Sequence, residues 1–444
     1  MPKPLMVDPE VVRKASTIDL GSIAVNAYNK TVKDELKSNK AITPERLLRA
    51  YRDMVIIREF ENMLDSIKKT QSYEGINYNH AGPAHLSTGQ EAAAVGECFH
   101  LSVNDHIFGS HRSHGEVIAK GMRAINELKG SGLNGLMSEF WDGRILNIVE
   151  KNEADWTGLK AGKKSALKTG EEEELGIDFL LYGLLAEIFG RETGCNKGMG
   201  GSMHVFFTPF GIYPNNALVG GSADIATGSA LYKKVQEAGG ITVANIGDAS
   251  MGCGPVWEAL GFSSMGQFTR LWEEDFRGGL PIVFNFMNNF YGMGGQPIGE
   301  TRGFDHLARI GAAVNPDNMH AETIDGNNPL SVADAYQRKM ELIKSGKGPV
   351  LLDVQCYRQT GHSPSDQSSY RERDEIDMWR KADAIVEFGG KLVDAGVATK
   401  ADLDAVQAYA TRKCTKACTL AVDYDHSPRM VLGPRQGIAP IMFC

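Results

Sequence analysis

The chain has 444 residues, of which 42% are hydrophobic and 23% charged, and a formal net charge of -8. That balance gives no general attraction to nucleic acid or to an anionic membrane, and the length suits one large α/β domain with appendages or two domains. No apolar run is long enough to span a bilayer, and Met1 to Leu20, with Asp8, Glu10 and Asp19, lacks the apolar centre of a signal peptide.

Residues 1–44 read as a polar N-terminal arm that packs over a neighbour. A helix is predicted from about Thr43 to Lys69, because Leu47, Tyr51, Met54, Val55 and Phe60 recur at helical spacing. After a loop rich in Gly, Asn and Pro, Thr88 and Glu91 have capping-box spacing ahead of an Ala-rich helix, Glu91 to Phe99. His106 to Gly109 reads as a strand, and the turn at His111-Arg112-Ser113-His114-Gly115 opens another helix. Residues 130–176 crowd Gly, Lys and Glu together, including Lys160, Lys163, Lys164 and Lys168, and read as a solvated excursion. A Gly-rich loop, Gly194 to Gly201, and the apolar Ala217-Leu218-Val219 follow. Strands are predicted at about 241–247, 281–287, 319–324 and 349–356, with helices at about 256–265 and 332–345 between them. Such alternation argues for an α/β fold: a mostly parallel sheet with helices on both faces. The end of the chain, 381–444, reads as a helical tail. The seven cysteines are spread out except for Cys414 and Cys418, and no His or further Cys completes a metal set, so these read as small core residues.

Two runs carry chemistry. Asn245-Ile246-Gly247-Asp248-Ala249-Ser250 and Met287-Asn288-Asn289-Phe290-Tyr291-Gly292 each follow a β-branched or aromatic apolar segment, at the strand ends where ligands of open α/β sheets collect. A hard cation beside a diphosphate needs a carboxylate, a neutral side-chain oxygen and a carbonyl; Asp248, Asn289 and the Tyr291 carbonyl are the candidates. Gly247 would let backbone approach the phosphates, and Pro255 in the first turn of the next helix would aim an N-terminal dipole at them.

With these runs, His85-Leu86-Ser87-Thr88-Gly89-Gln90-Glu91, the turn at His111, Lys197-Gly198-Met199-Gly200-Gly201-Ser202-Met203-His204 and Tyr357-Arg358-Gln359-Thr360-Gly361-His362-Ser363 complete a set of landmarks. In their order the chain resembles the alpha subunit of the thiamine diphosphate-dependent first component of 2-oxo acid dehydrogenases, the pyruvate, branched-chain and acetoin dehydrogenase family. The resemblance covers roughly 45–380, outside insertions near 130–176 and 266–279. It implies a thiamine diphosphate-binding fold with thiamine diphosphate and Mg2+ as cofactors. Asp248, Asn289 and Tyr291 are then the metal set; His111, Arg112, Ala217, Val219, Gly247, Ala249, Ser250 and Arg358 the cofactor contacts; His85 and His362 the catalytic histidines. His114 and His204 are weaker candidates, with helix packing or loop anchoring as the other reading.

The resemblance also implies oxidative decarboxylation of a 2-oxo acid, with acyl transfer to a lipoyl carrier. The partner would be a beta subunit that supplies the activating Glu in an α2β2 assembly, and a lipoyl acyltransferase component would follow. No nucleic acid or membrane partner is expected, and the compartment would be the cytoplasm, or the mitochondrial matrix in a eukaryote. Acetoin cleavage or carboligation on the same cofactor, and a non-catalytic regulatory relic, remain open. The chain departs from the family pattern at Ala249, where Gly is usual, and at His111, where Tyr is common. Ser363 lies where mitochondrial pyruvate members carry a regulatory serine.

Overall fold

The computed structural model describes residues 19–151 and 170–431, together with residue 9 and residues 13–15. The lysines at 160, 163, 164 and 168 lie outside the described residues.

A short hairpin, β1 (Ser72–Tyr73) and β2 (Ile76–Asn77), stands apart from the main sheet. That sheet is formed by β3 (His106–Phe108), β4 (Ile212–Tyr213), β5 (Thr242–Gly247), β6 (Ile282–Asn288), β7 (His320–Asp325) and β8 (Val350–Gln355). Its order is β4-β3-β5-β6-β8-β7, and every neighbouring pair is parallel. The four long strands match their predicted positions to within a residue or two, whereas β4 is too short for any periodicity to reveal.

Successive side chains of a strand face opposite sides, and here they feed two cores. Val243, Val283 and Leu352 join the larger one, while Ala244, Phe284, Phe286 and Leu351 join the smaller one on the other face. Helices cover both faces, as the alternation predicted.

The long helix Pro44–Thr70 begins at Thr43, whose side chain accepts the Arg46 N–H, with Pro44 opening its first turn. The capping box expected at Thr88 and Glu91 is absent. Glu91 instead accepts the Gly89 N–H at 3.0 Å and pairs with Arg58, while the buried Thr88 hydroxyl has no partner. An ionised Arg58 binds the carboxylate more strongly than a backbone N–H would.

The charged excursion also needs correction. Among the described residues, the helix His114–Glu139 kinks at Lys129 and Gly130 and runs on, and a helix Arg144–Lys151 follows. Leu133, Met137, Ile145 and Val149 are all at 0% exposure. The acidic run begins the helix Glu171–Ile188, with Glu173 paired to Arg49 and Arg52. Composition hid the apolar stripe beneath the charges. In the second insertion, Phe268 is buried against Phe262 and Trp272.

Over residues 24–39 the N-terminal arm meets its own sheet and the helix Pro329–Lys344. Val25 bridges Thr323 in parallel, and Lys30 pairs with Asp334. At the other end, the helices Ala384–Asp394 and Lys400–Val422 join the larger core, where Cys414 and Cys418 are buried.

Candidate active site

The C-terminal ends of β3, β4, β5, β6 and β8 open into one cavity of about 440 Å³. Asp248 and Asn289 come together because β5 and β6 are paired in register, with Gly247 opposite Met287. Asp248 opens a tight turn ahead of the helix Gly254–Ser263, and Pro255 lies in that helix's first turn. The Asn289 side chain accepts the Tyr291 N–H at 3.2 Å, which shapes the turn, and Phe290 between them has φ +65, a conformation costly for a bulky residue. Asn289 and Tyr291 on either side of it both line the cavity.

The two arginines arrive from the neighbouring strand ends. Arg112, 4% exposed, reaches the Leu86 carbonyl at 2.8 Å and the His362 carbonyl at 3.0 Å. Arg358, 1% exposed, donates to the Tyr370 hydroxyl at 2.9 Å and lies 3.5 Å from the Tyr291 and Gly292 carbonyls. Among the described residues neither guanidinium forms an ion pair with a carboxylate. Burial and the nearby Arg358 push Arg112 down to about 9. Two buried cations with only neutral partners are costly, and an anion in the cavity removes that cost.

Asp248 supplies the opposite demand. It is 2% exposed, its Oδ2 has no hydrogen-bond partner, and burial pushes its carboxyl up to about 7. A bare carboxylate oxygen lining the same cavity as two guanidinium groups that have no carboxylate partner fits a dianionic phosphate group bridged to a cation.

Three imidazoles line one side. His85 lies 5.1 Å from His362 and 5.4 Å from His111, ring centre to ring centre, and His111 lies 5.6 Å from His362. Burial and Arg112 push His85 down to about 3 and His362 to about 4, and His111 falls well below the usual range. All three are therefore neutral near pH 7. His85 Nδ1 and His111 Nε2 are buried without partners. The loop that carries His85 is held against the exit of β8: Gln359 donates to the Thr88 carbonyl at 2.9 Å, and at Gly89, with φ +95, an added Cβ would lie 2.2 Å from the Tyr357 carbonyl.

Ala217, Val219, Gly247, Ala249 and Ser250 complete the wall, so every sequence-predicted site residue lines this one cavity. Val219 is 64% exposed and Leu218 69%, at its rim. His204 also lines it and is anchored by Asn215 at 2.9 Å, whereas His114 is fully buried behind it. Ser363 sits at the edge, bonded to Ser365. Sequence reasoning missed Ser110, Asn215 and Asn245, which also line the wall. Asn215 follows the two-residue β4, and Asn245 sits among apolar strand residues with its amide on the buried Glu97 carboxyl. The Gly-rich loop closes around a carboxylate of its own. The N–H groups of Asn196, Gly198, Gly200 and Gly201 all donate to the buried Glu187 carboxylate.

The family model described as "Dehydrogenase E1 component" matches residues 52–152 and 175–429. The alpha subunit of acetoin:2,6-dichlorophenolindophenol oxidoreductase from Bacillus subtilis is 29% identical over 384 residues, 86% of this chain and 91% of that protein. The pyruvate dehydrogenase E1 component alpha subunit of Rhizobium meliloti is 28% identical over 357 residues, 80% of each chain, and that of Rickettsia prowazekii is 34% identical over 224 residues, 50% of this chain and 64% of that one. The match extends over well more than half of the residues and brackets the whole cavity, so the chain belongs to the dehydrogenase E1 component family, the alpha-subunit side of the thiamine diphosphate-dependent 2-oxo acid dehydrogenases.

Proposed function

We propose that this chain is the alpha half of an enzyme that oxidatively decarboxylates a 2-oxo acid with thiamine diphosphate and Mg2+ and passes the acyl group to a lipoyl carrier. The observation that carries the reading is the pairing of unpartnered charges: Asp248 with a bare Oδ2, and Arg112 and Arg358 with no carboxylate of their own. Asp248, Asn289 and the Tyr291 carbonyl would hold the cation, and the two guanidinium groups and the backbone from Gly247 to Ser250 the diphosphate. His111, Ala217 and Val219 would complete the cofactor's surroundings. The bound cofactor supplies a carbon nucleophile and a sink for the electrons that departing CO2 leaves behind.

The chain's own part is to bind, orient and handle protons. His85 and His362, held down to about 3 and about 4, carry neutral imidazoles at the cavity wall, each suited to donate a hydrogen bond to charge that develops on the substrate. The similar proteins are named as alpha subunits, which supports a beta partner that supplies the activating Glu in an α2β2 assembly, with cofactor between unlike chains. The exposed apolar rim at Leu218 and Val219 accords with such a cover. Acetoin cleavage is the second reading, favoured by the 29% identity to the Bacillus subtilis protein.

Calorimetry of thiamine diphosphate with Mg2+, on this chain alone and mixed with the beta chain, tests the proposal. Binding in the mixture and turnover of a 2-oxo acid in a substrate screen are expected. Binding with turnover of acetoin only selects the second reading, and binding to neither preparation leaves a regulatory relic.

A further inference from the structure

Behind the cavity wall lies a hydrogen-bonded chain with no place in the binding set. Glu61 and His114 are at 0% exposure and Ser202 at 2%. The Glu61 carboxylate lies 3.1 Å from His114 Nδ1, and His114 Nε2 lies 2.8 Å from the Ser202 hydroxyl oxygen. His114 Nδ1 shares its hydrogen bond with the carboxylate and Nε2 shares one with the Ser202 hydroxyl. The Ser202 oxygen accepts the His85 backbone N–H at 3.4 Å. The constellation has the order of a nucleophilic triad, yet Ser202 and His114 do not line the cavity, so no substrate carbon can meet the hydroxyl.

The relay ends on the loop that carries His85. Glu61 also accepts the Ser87 N–H at 2.9 Å and the Ser87 hydroxyl at 2.7 Å, and Arg112 takes the Leu86 carbonyl at 2.8 Å. Three consecutive residues are thus pinned from the buried side, and the hand of Arg112 that holds Leu86 belongs to the guanidinium that also holds the His362 carbonyl. Burial pushes the Glu61 carboxyl up, but His114 and Ser87 outweigh it and keep it ionised.

We propose that Glu61, His114 and Ser202 are positioning residues that set the His85 imidazole against His362 for the reaction, without touching cofactor or substrate. The inference rests on the proposed role of His85. Its test is a double-mutant cycle on the assembled enzyme, with Ser202→Ala, His85→Ala and the pair. Ser202→Ala should lower kcat about five- to twentyfold with cofactor affinity unchanged within about twofold, less than the roughly hundredfold loss expected when a proton-handling group is fully misplaced. Added to His85→Ala, it should cost nothing further. A crystal structure of Ser202→Ala should show the His85 ring displaced while Asp248 and Asn289 stay in place. His114→Gln, which spares the serine, should reproduce the kcat loss. An unchanged kcat in Ser202→Ala, or a full additional loss in the double variant, overturns the relay. If His85→Ala itself turns over normally, the role of His85 fails instead, and an unmoved ring in the Ser202→Ala crystal decides against the relay on its own.

Discussion

At the scale of single residues, Asp248 is the point where burial and function oppose each other. Its carboxyl, raised to about 7, holds a proton in the ligand-free chain below that pH, whereas a metal ligand has to be ionised. In the proposed metal site magnesium has to displace that proton, so affinity should fall by about tenfold per pH unit below pH 7 and level off above it. Calorimetric titration of Mg2+ into the assembled, cofactor-supplemented protein at pH 6, 7 and 8 checks this. The Asp248→Asn variant, which cannot titrate, gives the baseline for the cofactor's own protonation. Equal slopes in the two proteins would count against Asp248 as a ligand. Asp248→Ala should abolish magnesium-dependent cofactor binding. Asp248 and Asn289 could be picked out because each follows a strand end in sequence, where the fold's geometry dictates what the residue faces, whereas Arg112 and Arg358 entered only through the family resemblance. Glu61, His114 and Ser202 come from distant segments, and only the packed structure reveals that they touch.

At the scale of elements, the lesson concerns charge. The strands Thr242–Gly247 and Ile282–Asn288 and the helix begun at Thr43 carried strong local signals, an apolar run with β-branched residues and a periodic stripe, and these elements formed as expected. In the 130–151 stretch, Gly130, Gly132 and Gly135 interrupt the stripe and polar residues surround it, so composition masked Leu133, Met137, Ile145 and Val149. The expected cost separates the two readings. Leu133→Ala should lower unfolding free energy by about 2–5 kcal/mol, as for other buried leucines. A residue in a solvated excursion would change it by less than about 0.5 kcal/mol. Denaturant titration at constant m-value distinguishes these outcomes. The missed cap at Thr88 has a similar origin, since the competing partner of Glu91, Arg58, comes from a different helix.

At the scale of the whole molecule, the C-terminal helix Lys400–Val422 is integral to the core. Asp178, 4% exposed, receives Lys413 at 2.9 Å on one oxygen and Lys416 at 2.7 Å on the other. Asp178→Asn removes the negative charge between two buried ammonium groups and should destabilise the chain by about 3–5 kcal/mol, the usual result of breaking a buried pair on one side. A chain ended before Lys400 should fail to fold, and a protease-resistant, soluble truncation would show the helix to be dispensable. The sheet order adds a consequence for biosynthesis. Because β8 lies between β6 and β7, the strand that delivers Arg358 is inserted after both of its neighbours have been made. His85 leaves the ribosome early and His362 late, and between residues 248 and 358 a nascent chain carries Asp248 and Arg112 without the guanidinium that β8 delivers. With the proposed cofactor contacts, ligand loading follows translation rather than accompanying it, and a ribosome stalled ahead of residue 350 should carry a chain that does not hold the cofactor.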